Sequence, residues 1–505
     1  MSTTAESAPM SVPHRLLVWD DLTVWAIAGL SFVVHMAVAG RYGFHRDEFY
    51  YVASGFHPAW GYVDHPALVP MIARFAVTLF GASVVGLRLF AALACAIVIV
   101  LTAYTAREMG GGKFAAWLTA LTVAVAPVFV SGGHLLQTVT FDQLVWAVAV
   151  LLLARVMRGR EGWLWLPLGM TLGVGAHTKD TVVALVLGIM VGIVLTRERA
   201  WLRTPWPWIG ASIAAAIAAP AVLWQVANGW PTLEFARNNS AAYWHDRPLV
   251  LFVLMQPVLI GFGGIVIAGL GLWWLFRARD GAWRLFGWLF LVAFALFLVT
   301  RGKEYYLAPA FLPLIAAGAV ATEEIVRRHS GELRRVIMAV VVVLALPSLP
   351  LVLPVLSTRI MLDLHLEKLV PDLAEQIGWP EFVGTVAAAY QSLAPDEQAH
   401  ALVLAANWGE AGAVDLLGGR YDLPPAISGH DAYYTWGPGD PEATTYIATG
   451  YSYTQLSLYF DEVVQSGKVA NRAGAPNKEA GRPVFICRRP KQPLSAVWSQ
   501  FRRYG

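Results

Sequence analysis

Long apolar segments recur from Leu22 to Leu356 and restrict the possible folds of this chain more than any other feature. A helix needs roughly 17 to 25 residues to cross about 30 Å of hydrocarbon, and segments of about that length follow one another. Of the 505 residues, 57% are hydrophobic and 14% are charged, which is too apolar for soluble domains of this size. The sequence therefore predicts an α-helical polytopic membrane protein that has the lipid bilayer as a partner.

About eleven membrane-spanning helices are predicted. They are residues 22–40, 84–106, 114–131, 141–157, 163–177, 181–196, 206–227, 249–276, 284–300, 305–326 and 336–356. The fifth and sixth are short and are joined only by Thr178, Lys179 and Asp180, so a kinked or re-entrant pair is the alternative. Residues 22–356 are predicted to form one transmembrane domain.

Alternate connections between these segments are rich in Lys and Arg, as in the cluster Arg155, Arg158 and Arg160. Cytoplasmic loops carry such an excess. This pattern predicts a cytoplasmic N-terminal segment, residues 1–21, and places the other connections on the outer side of a cytoplasmic (inner) membrane. The first span is predicted to be an uncleaved anchor because no small-residue cleavage site follows it. The formal net charge of +3 gives no indication of nucleic-acid binding.

Residues 357–505 have mixed polar composition and are predicted to form a separate extracytoplasmic α/β domain. Strands are predicted at residues 400–405, 444–449 and 484–488, and helices at residues 382–393 and 454–465. The Gly-rich turn from Asn407 to Gly412 lacks the Lys-Ser/Thr ending of a P-loop, which favours a tight turn over a phosphate cradle.

The outer connection at residues 41–83 carries an acidic motif directly after the first span. Its sequence is Arg46-Asp47-Glu48-Phe49-Tyr50-Tyr51. A helix there places Asp47 on one face with Tyr50 and Tyr51, and a carboxylate beside aromatic rings suits a sugar hydroxyl. The alternative is an interfacial anchor in which Arg46 pairs with Asp47.

The same connection continues with the turn Asp64-His65-Pro66 and then an amphipathic stretch at residues 71–80, which we place on the membrane surface. His65 either donates to an anion or simply ends the turn, and taken alone the second interpretation is favoured. Further polar side chains stand at other predicted outer helix ends: Asp142, Lys179, Asp180, Arg301, Lys303, Glu304, Tyr305 and Tyr306. Their convergence indicates a reaction on an amphiphile whose anionic head lies at the interface.

These motifs resemble, in order and spacing, the bacterial glycosyltransferases related to protein O-mannosyltransferases and lipid A aminoarabinose transferases (glycosyltransferase family 39, PMT-like). The resemblance rests on Arg46-Asp47-Glu48, Asp64-His65-Pro66-Ala67-Leu68, Asp142, Thr178-Lys179 and Lys303-Glu304-Tyr305-Tyr306-Leu307. It covers roughly the first two thirds of the chain. It implies the C-type glycosyltransferase (GT-C) fold and the inverting transfer of a sugar from a polyprenyl-phosphate donor to a hydroxyl acceptor, which is a protein, a lipid or a polysaccharide.

The resemblance also implies roles for individual residues. Asp47 would be the catalytic general base with Glu48 as its neighbour. The acceptor side would comprise Asp142, Tyr50 and Asp64, and the donor phosphate or sugar would contact His65, Lys179, Lys303, Tyr305 and Tyr306. Ala67 departs from the family pattern, since relatives commonly have a second proline there. No cofactor is implied; paired acids leave a divalent metal as an alternative, although no ligand spacing indicates one.

The rival interpretation is a transporter or flippase of lipid-linked sugar. It predicts charges deep within the spans and inverted repeats, whereas the ionisable residues singled out above gather at helix ends. A third interpretation is a structural or sensory membrane protein whose outer domain binds a ligand.

Overall fold

The structure is a computed structural model that describes residues 21–159, 161–278, 281, 283–329 and 331–505. Most of the predicted cytoplasmic N-terminal segment, residues 1–20, lies outside the described residues, as does Arg160 of the basic cluster.

The apolar part of the chain is helical almost throughout. Its α-helices are α1 (Leu22–Val38), α2 (Arg46–Phe56), α3 (Leu68–Phe80), α4 (Val84–Glu108), α5 (Lys113–Val125), α6 (Pro127–His134), α7 (Thr138–Gly159), α8 (Trp165–Ala176), α9 (Val182–Leu195), α10 (Trp206–Ala227), α11 (Pro231–Tyr243), α12 (Val250–Leu254), α13 (Gln256–Ile260), α14 (Phe262–Arg277), α15 (Arg284–Val299), α16 (Phe311–Val326), α17 (Gly331–Ala345) and α18 (Leu349–Val352). A short 3-10 helix, Glu304–Ala310, leads into α16.

By length and hydropathy, five helices of the described chain could each cross a bilayer: α4, α7, α10, Glu304–Val326 and Gly331–Val352. Counting α5 with α6 and α12–α13 with α14 as bent spans raises the number to seven. The bends of 62° and 108° occur at Pro127, which cannot donate a helical hydrogen bond, and at Gly261, whose φ is 79°. All eleven predicted spans overlap helical structure, and the number of spans stays a prediction.

The Glu304–Val326 helix lies at the centre of the bundle, because 89% of its apolar 18-residue stretch is buried. The apolar stretch of α10 is only 6% buried. Gly271 of α14 and Gly318 of α16 let these two helices touch, because a Cβ on either glycine would overlap a backbone carbonyl of the other helix. Small residues at such crossings are typical of membrane helices.

The rest of the chain carries a five-stranded sheet with short helices. The strands are β1 (Ala401–Ala405), β2 (Ala426–Ser428), β3 (Thr445–Thr449), β4 (Phe460–Lys468) and β5 (Pro483–Pro490). The helices are α19 (Thr358–Asp363), α20 (Leu366–Leu369), α21 (Trp379–Gln391), α22 (Pro395–Ala399), α23 (Trp408–Leu417), α24 (Ala432–Thr435), α25 (Tyr453–Leu456) and α26 (Leu494–Val497). The strand order is β2-β1-β3-β5-β4; β1 pairs in parallel with β2 and β3, and β5 pairs antiparallel with β3 and β4.

The helix predicted at residues 454–465 is wrong. Only the four residues of α25 are helical there, and β4 begins at Phe460. Val463 and Val464 pair with Cys487 and Ile486 of β5. β-Branched residues favour strands, and the pairing with a strand about twenty residues further along the chain overrides the local helical pattern. The strands predicted at residues 400–405, 444–449 and 484–488 coincide with β1, β3 and β5.

The Gly-rich turn after β1 is a helix cap. The Oδ1 atom of Asn407 accepts hydrogen bonds from the backbone N–H groups of Gly409 at 2.9 Å and Glu410 at 3.0 Å, which begins α23. Gly412 lies against α2, where an added Cβ would come within 2.9 Å of Phe49. The geometry therefore favours the tight-turn interpretation, and it brings α23 against the helix that carries the acidic motif.

Candidate active site

Helix α2 begins at the acidic motif because His45 and Glu48 cap it reciprocally. His45 Nδ1 accepts from the backbone N–H of Asp47 at 3.2 Å, and Glu48 Oε2 accepts from the backbone N–H of His45 at 2.8 Å. Such a capping box satisfies backbone donors at a helix start. It fixes the position of Asp47 in the first turn of α2.

The Asp47 side chain is one-third exposed, in contrast to its buried neighbours on α2. Its carboxylate is within electrostatic reach of Lys179, Lys303 and His65, where its negative charge favours the protonated forms. Asp47 is therefore a partly accessible acid whose charge acts on basic groups from three distant parts of the sequence.

Glu48 is placed differently from Asp47, although the sequence pairs the two. Its carboxylate is fully buried and accepts from Arg88 Nε at 3.0 Å and from Arg88 Nη2 at 2.9 Å. Each oxygen also accepts a backbone N–H, from Leu136 and His45 respectively. This geometry engages both oxygens in the protein interior, whereas the Asp47 side chain is partly exposed.

His65 sits in a turn and is enclosed by tyrosines. The backbone N–H of Tyr62 donates to the carbonyl of His65 at 3.0 Å, which closes the turn. The His65 ring centroid lies 5.0, 5.1 and 4.7 Å from those of Tyr50, Tyr51 and Tyr62. Burial lowers the pKa of His65, while the neighbouring Asp64 carboxylate opposes that shift.

Tyr50 connects Asp64 to the sheet-bearing part of the chain. Its hydroxyl donates to Asp64 Oδ1 at 2.7 Å and accepts from the backbone N–H of Ala432 at 3.0 Å. Its ring stacks on that of Trp408 with centroids 5.0 Å apart. Burial raises the pKa of Asp64, against the opposing influence of His65 and of the Tyr50 hydrogen bond.

A cavity of about 250 Å³ brings many of the predicted site residues together. Its walls include Asp64, His65, Lys179, Lys303 and Tyr306, which come from three separate connections. Five predicted site residues are not among those that line it: Asp47, Glu48, Tyr50, Asp142 and Tyr305. Asp142 is buried in α7 but acts electrostatically on Lys179, and the Tyr305 ring lies 5.9 Å from Lys179 Nζ.

The two lysines of the cavity are held by hydroxyl and aromatic groups. Lys179 Nζ donates to Thr138 Oγ1 at 3.1 Å and lies 4.9 Å from the Tyr306 ring centroid. Lys303 Nζ lies 5.4 Å from the ring centroid of Tyr243. Burial lowers the pKa of Lys179 and of Lys303, and nearby carboxylates oppose this shift. Such a cavity offers two amine groups to an anion beside aromatic surface.

Helix α11 supplies one wall of the cavity, which the sequence motifs did not indicate. Residues spaced along one face of this helix line it: Thr232, Phe235, Ala236, Asn239, Ser240 and Tyr243. Their spacing of three and four residues is the helical period and could have revealed a shared face. The Tyr243 hydroxyl donates to Glu304 Oε2 at 2.6 Å, which ties α11 to the connection that carries Lys303.

Arg301, next to this wall, adopts a left-handed backbone conformation with φ of 53°. Its carbonyl accepts from Ser240 Oγ at 3.1 Å and from Trp244 Nε1 at 2.7 Å. A strained residue persists where surrounding contacts determine its conformation. These bonds hold the cavity rim between α11 and α16.

Among the described residues, no group of three or more His, Cys, Asp or Glu side chains is arranged to hold a metal ion. The independence from cofactors and metals stays a prediction.

The family model described as dolichyl-phosphate-mannose-protein mannosyltransferase matches residues 64–224. No curated protein sequence matches this chain. The crystal structure of ArnT from Cupriavidus metallidurans in the apo state has a TM-score of 0.59 and 16% identity, and the match covers 92% of this chain and 97% of ArnT. ArnT bound to undecaprenyl phosphate gives a TM-score of 0.58 with the same identity and coverage. The chain has the mostly helical, ArnT-like GT-C fold, and the resemblance to PMT-like and ArnT-like glycosyltransferases is confirmed.

Proposed function

We propose that this protein is an inverting glycosyltransferase that moves a sugar from a polyprenyl-phosphate donor to the hydroxyl of an acceptor. The observation that carries the proposal is the cavity in which Lys179 and Lys303 meet, since the partly exposed Asp47 carboxylate acts electrostatically on both lysines. The match to a mannosyltransferase family model and the ArnT-like fold support this class of reaction. ArnT has been crystallised with undecaprenyl phosphate, which supports a polyprenyl-phosphate donor.

The cations of the cavity would bind the donor phosphate. When the bond between the anomeric carbon and the phosphate oxygen breaks, the electron pair leaves with the polyprenyl phosphate, whose negative charge rises. Lys179 and Lys303, with His65 nearby, would stabilise that charge, and preorganised groups of this kind are a large source of catalysis. Tyr305 and Tyr306 would contact the sugar or the donor phosphate from the same side.

Asp47 would act as the general base. The acceptor oxygen attacks the anomeric carbon while Asp47 takes the hydroxyl proton, so that one displacement inverts the configuration. Asp64, Tyr50 and Asp142 would belong to the acceptor side. Glu48, whose oxygens are engaged by Arg88, would position α2 without touching the substrate.

The membrane placement is part of the same proposal. We infer about eleven spans, a cytoplasmic N-terminus, and an active site and C-terminal α/β domain on the outer side of the cytoplasmic membrane. The sugar donor would therefore arrive on its lipid carrier from within the bilayer, and neither a nucleotide-binding site nor a metal would be required.

Purified wild-type protein and the Asp47→Asn variant, both reconstituted in nanodiscs, test the assignment. Each is supplied with a panel of undecaprenyl-phosphate-linked sugars and an envelope extract, and the release of undecaprenyl phosphate and the transfer of labelled sugar are measured. Loss of the base should lower kcat by about 10² to 10⁴-fold. The Kd for undecaprenyl phosphate should remain near that of the wild type.

The matched control is Asp246→Asn, which removes an exposed carboxylate outside the cavity. It should transfer sugar at the wild-type rate. Near-normal sugar transfer by Asp47→Asn would show that Asp47 is not the general base. The same protein in sealed liposomes tests the rival function, and movement of lipid-linked sugar across that bilayer without turnover would favour a flippase.

A further inference from the structure

A second cavity, about 480 Å³ in volume, lies between the end of α2 and the adjoining face of α3. Trp60, Tyr62, Met71, Arg74, Phe75 and Thr78 contribute to its lining. We call it the α3 groove. Gly55 makes this packing possible, because a Cβ at Gly55 would overlap the carbonyl oxygen of Pro70. The groove is therefore built by a close contact between the two helices.

Arg74 brings a positive charge to this mostly apolar groove. Among the described residues, no carboxylate lies within ion-pair distance of Arg74. Its Nη1 donates a long hydrogen bond, 3.5 Å, to the Gly55 carbonyl oxygen. Its guanidinium carbon lies 5.7 Å from the Phe56 ring centroid. Burial raises the pKa of the Tyr62 hydroxyl to about 12, and the positive charge of Arg74 opposes that shift. The groove therefore has an unpaired cation beside its opening.

The surface around Arg74 is strongly apolar. Phe56, Trp60, Met71 and Phe75 are each 50% to 59% exposed, and they flank the groove on two sides. The thirteen residues of α3 are too few to cross the bilayer. A short amphipathic helix with an exposed apolar face and a long cationic side chain is typical of a helix lying in the membrane interface.

We propose that the α3 groove binds an anionic membrane lipid. The headgroup phosphate pairs with Arg74, whose planar fork of N–H groups matches phosphate geometry. One acyl chain lies along Trp60, Met71 and Phe75 and covers their apolar surface, which removes it from water. A zwitterionic lipid gains less, because its own ammonium group competes for the phosphate.

The α3 groove and the cavity that contains Lys179 and Lys303 are lined by different residues of one turn. Tyr62 lines the groove, whereas Asp64 and His65 of the same turn line the cavity. A lipid in the groove therefore contacts the turn that carries two of the proposed site residues. The lipid site rests on the groove alone and does not depend on the proposed sugar transfer.

Native mass spectrometry of the detergent-purified, full-length protein tests the proposal. Phosphatidylglycerol and phosphatidylcholine with identical acyl chains are titrated separately, and the Kd of the first bound lipid is determined for each. A single interfacial cation favours an anionic lipid by about fivefold. The wild type should show at least that preference, and Arg74→Gln should bind the two lipids equally.

Two further variants separate the groove from general surface charge. Arg237→Gln removes an exposed cation of α11, another outer helix in the proposed topology, and should keep the preference. Thr78→Trp fills the groove without changing charge and should weaken the binding of both lipids. Equal preferences in the wild type and Arg74→Gln would overturn the proposal, as would equal losses in Arg74→Gln and Arg237→Gln. Displacement of phosphatidylglycerol by an equimolar amount of undecaprenyl phosphate, with the same dependence on Arg74, would overturn it in favour of the donor lipid.

Discussion

Arg88 and Glu48 form a bidentate ion pair in which neither side chain is more than 1% exposed. The same guanidinium donates to the carbonyl oxygens of Ala39 at 2.7 Å and Gly43 at 2.8 Å, and to Gln376 Oε1 at 3.2 Å. The pair therefore joins the end of α1, the start of α2, the body of α4 and a segment that precedes the sheet. It fixes the helix turn that carries Asp47.

Replacing Glu48 by Gln should destabilise the protein strongly, because Arg88 would keep its charge in the interior without a counter-ion. Breaking a buried pair in this way costs about 3 to 5 kcal/mol. Thermal unfolding in detergent measures the loss. The control is Asp363→Asn, which breaks the exposed Arg359–Asp363 pair and should change stability by less than about 0.5 kcal/mol. Similar melting temperatures for the two variants would contradict the structural role of Glu48.

Replacing Tyr50 by Phe should uncouple the cavity from the sheet-bearing part. It removes the donor to Asp64 and leaves the backbone N–H of Ala432 without its acceptor. Leaving such buried groups unsatisfied costs about 1 to 3 kcal/mol. Chemical unfolding compares this variant with Tyr453→Phe, which alters a tyrosine that is 59% exposed. We expect the control to match the wild type, and an unchanged Tyr50→Phe variant would argue against the coupling.

Under the proposed function, Lys179→Gln should weaken binding of the donor phosphate. The amine lies in the cavity wall, and hydrogen bonds to charged groups contribute about 1.5 to 3 kcal/mol, or roughly 10- to 150-fold in affinity. The Kd for undecaprenyl phosphate, measured by thermophoresis at low and high salt, reports the effect. Lys368→Gln changes an exposed lysine and should leave the Kd unaltered. A wild-type Kd for Lys179→Gln would exclude this lysine from the phosphate site.

Glu410 should make stability depend on pH. Burial, helped by the nearby Glu479, raises the pKa of Glu410 from its ordinary 4.5 to about 7. Because the folded state holds this proton more tightly than the unfolded state, its contribution is complete below pH 4.5. That contribution is lost as the pH rises towards 7, by up to about 3 kcal/mol.

The Glu410→Gln variant should therefore flatten the stability profile between pH 5 and pH 8 and should be the more stable protein at pH 8. Melting temperatures measured across that range provide the comparison. Glu442→Gln, which alters an exposed carboxylate, should reproduce the wild-type profile. A profile of Glu410→Gln that parallels the wild type would assign the pH dependence to other groups.

The type of fold was predictable because apolar segments of bilayer length leave few alternatives. Short sequence motifs also indicated five site residues that line one cavity: Asp64, His65, Lys179, Lys303 and Tyr306. Their meeting depends on contacts between distant segments, which no local pattern contains.

Arg88 and the polar face of α11 were not predicted, although the sequence carries a signal for each. Arg88 is a charged residue within the apolar span α4, and a cation in that position indicates a buried partner. The polar and aromatic face of α11 repeats with the helical period, from Thr232 to Tyr243. β4 is different, since its pairing with β5 is a long-range contact that its own sequence does not reveal.

Helix α2 is enclosed on several sides. Ser54 lies beside His65, Gly55 touches α3 at Pro70, and Phe49 packs against Gly412 of α23. In the proposed sugar transfer, a bulkier acceptor cannot be accommodated by remodelling this helix without disturbing both halves of the molecule. We therefore expect evolutionary change in acceptor preference among homologous chains to concentrate on α11, at positions such as Asn239, while α2 varies little.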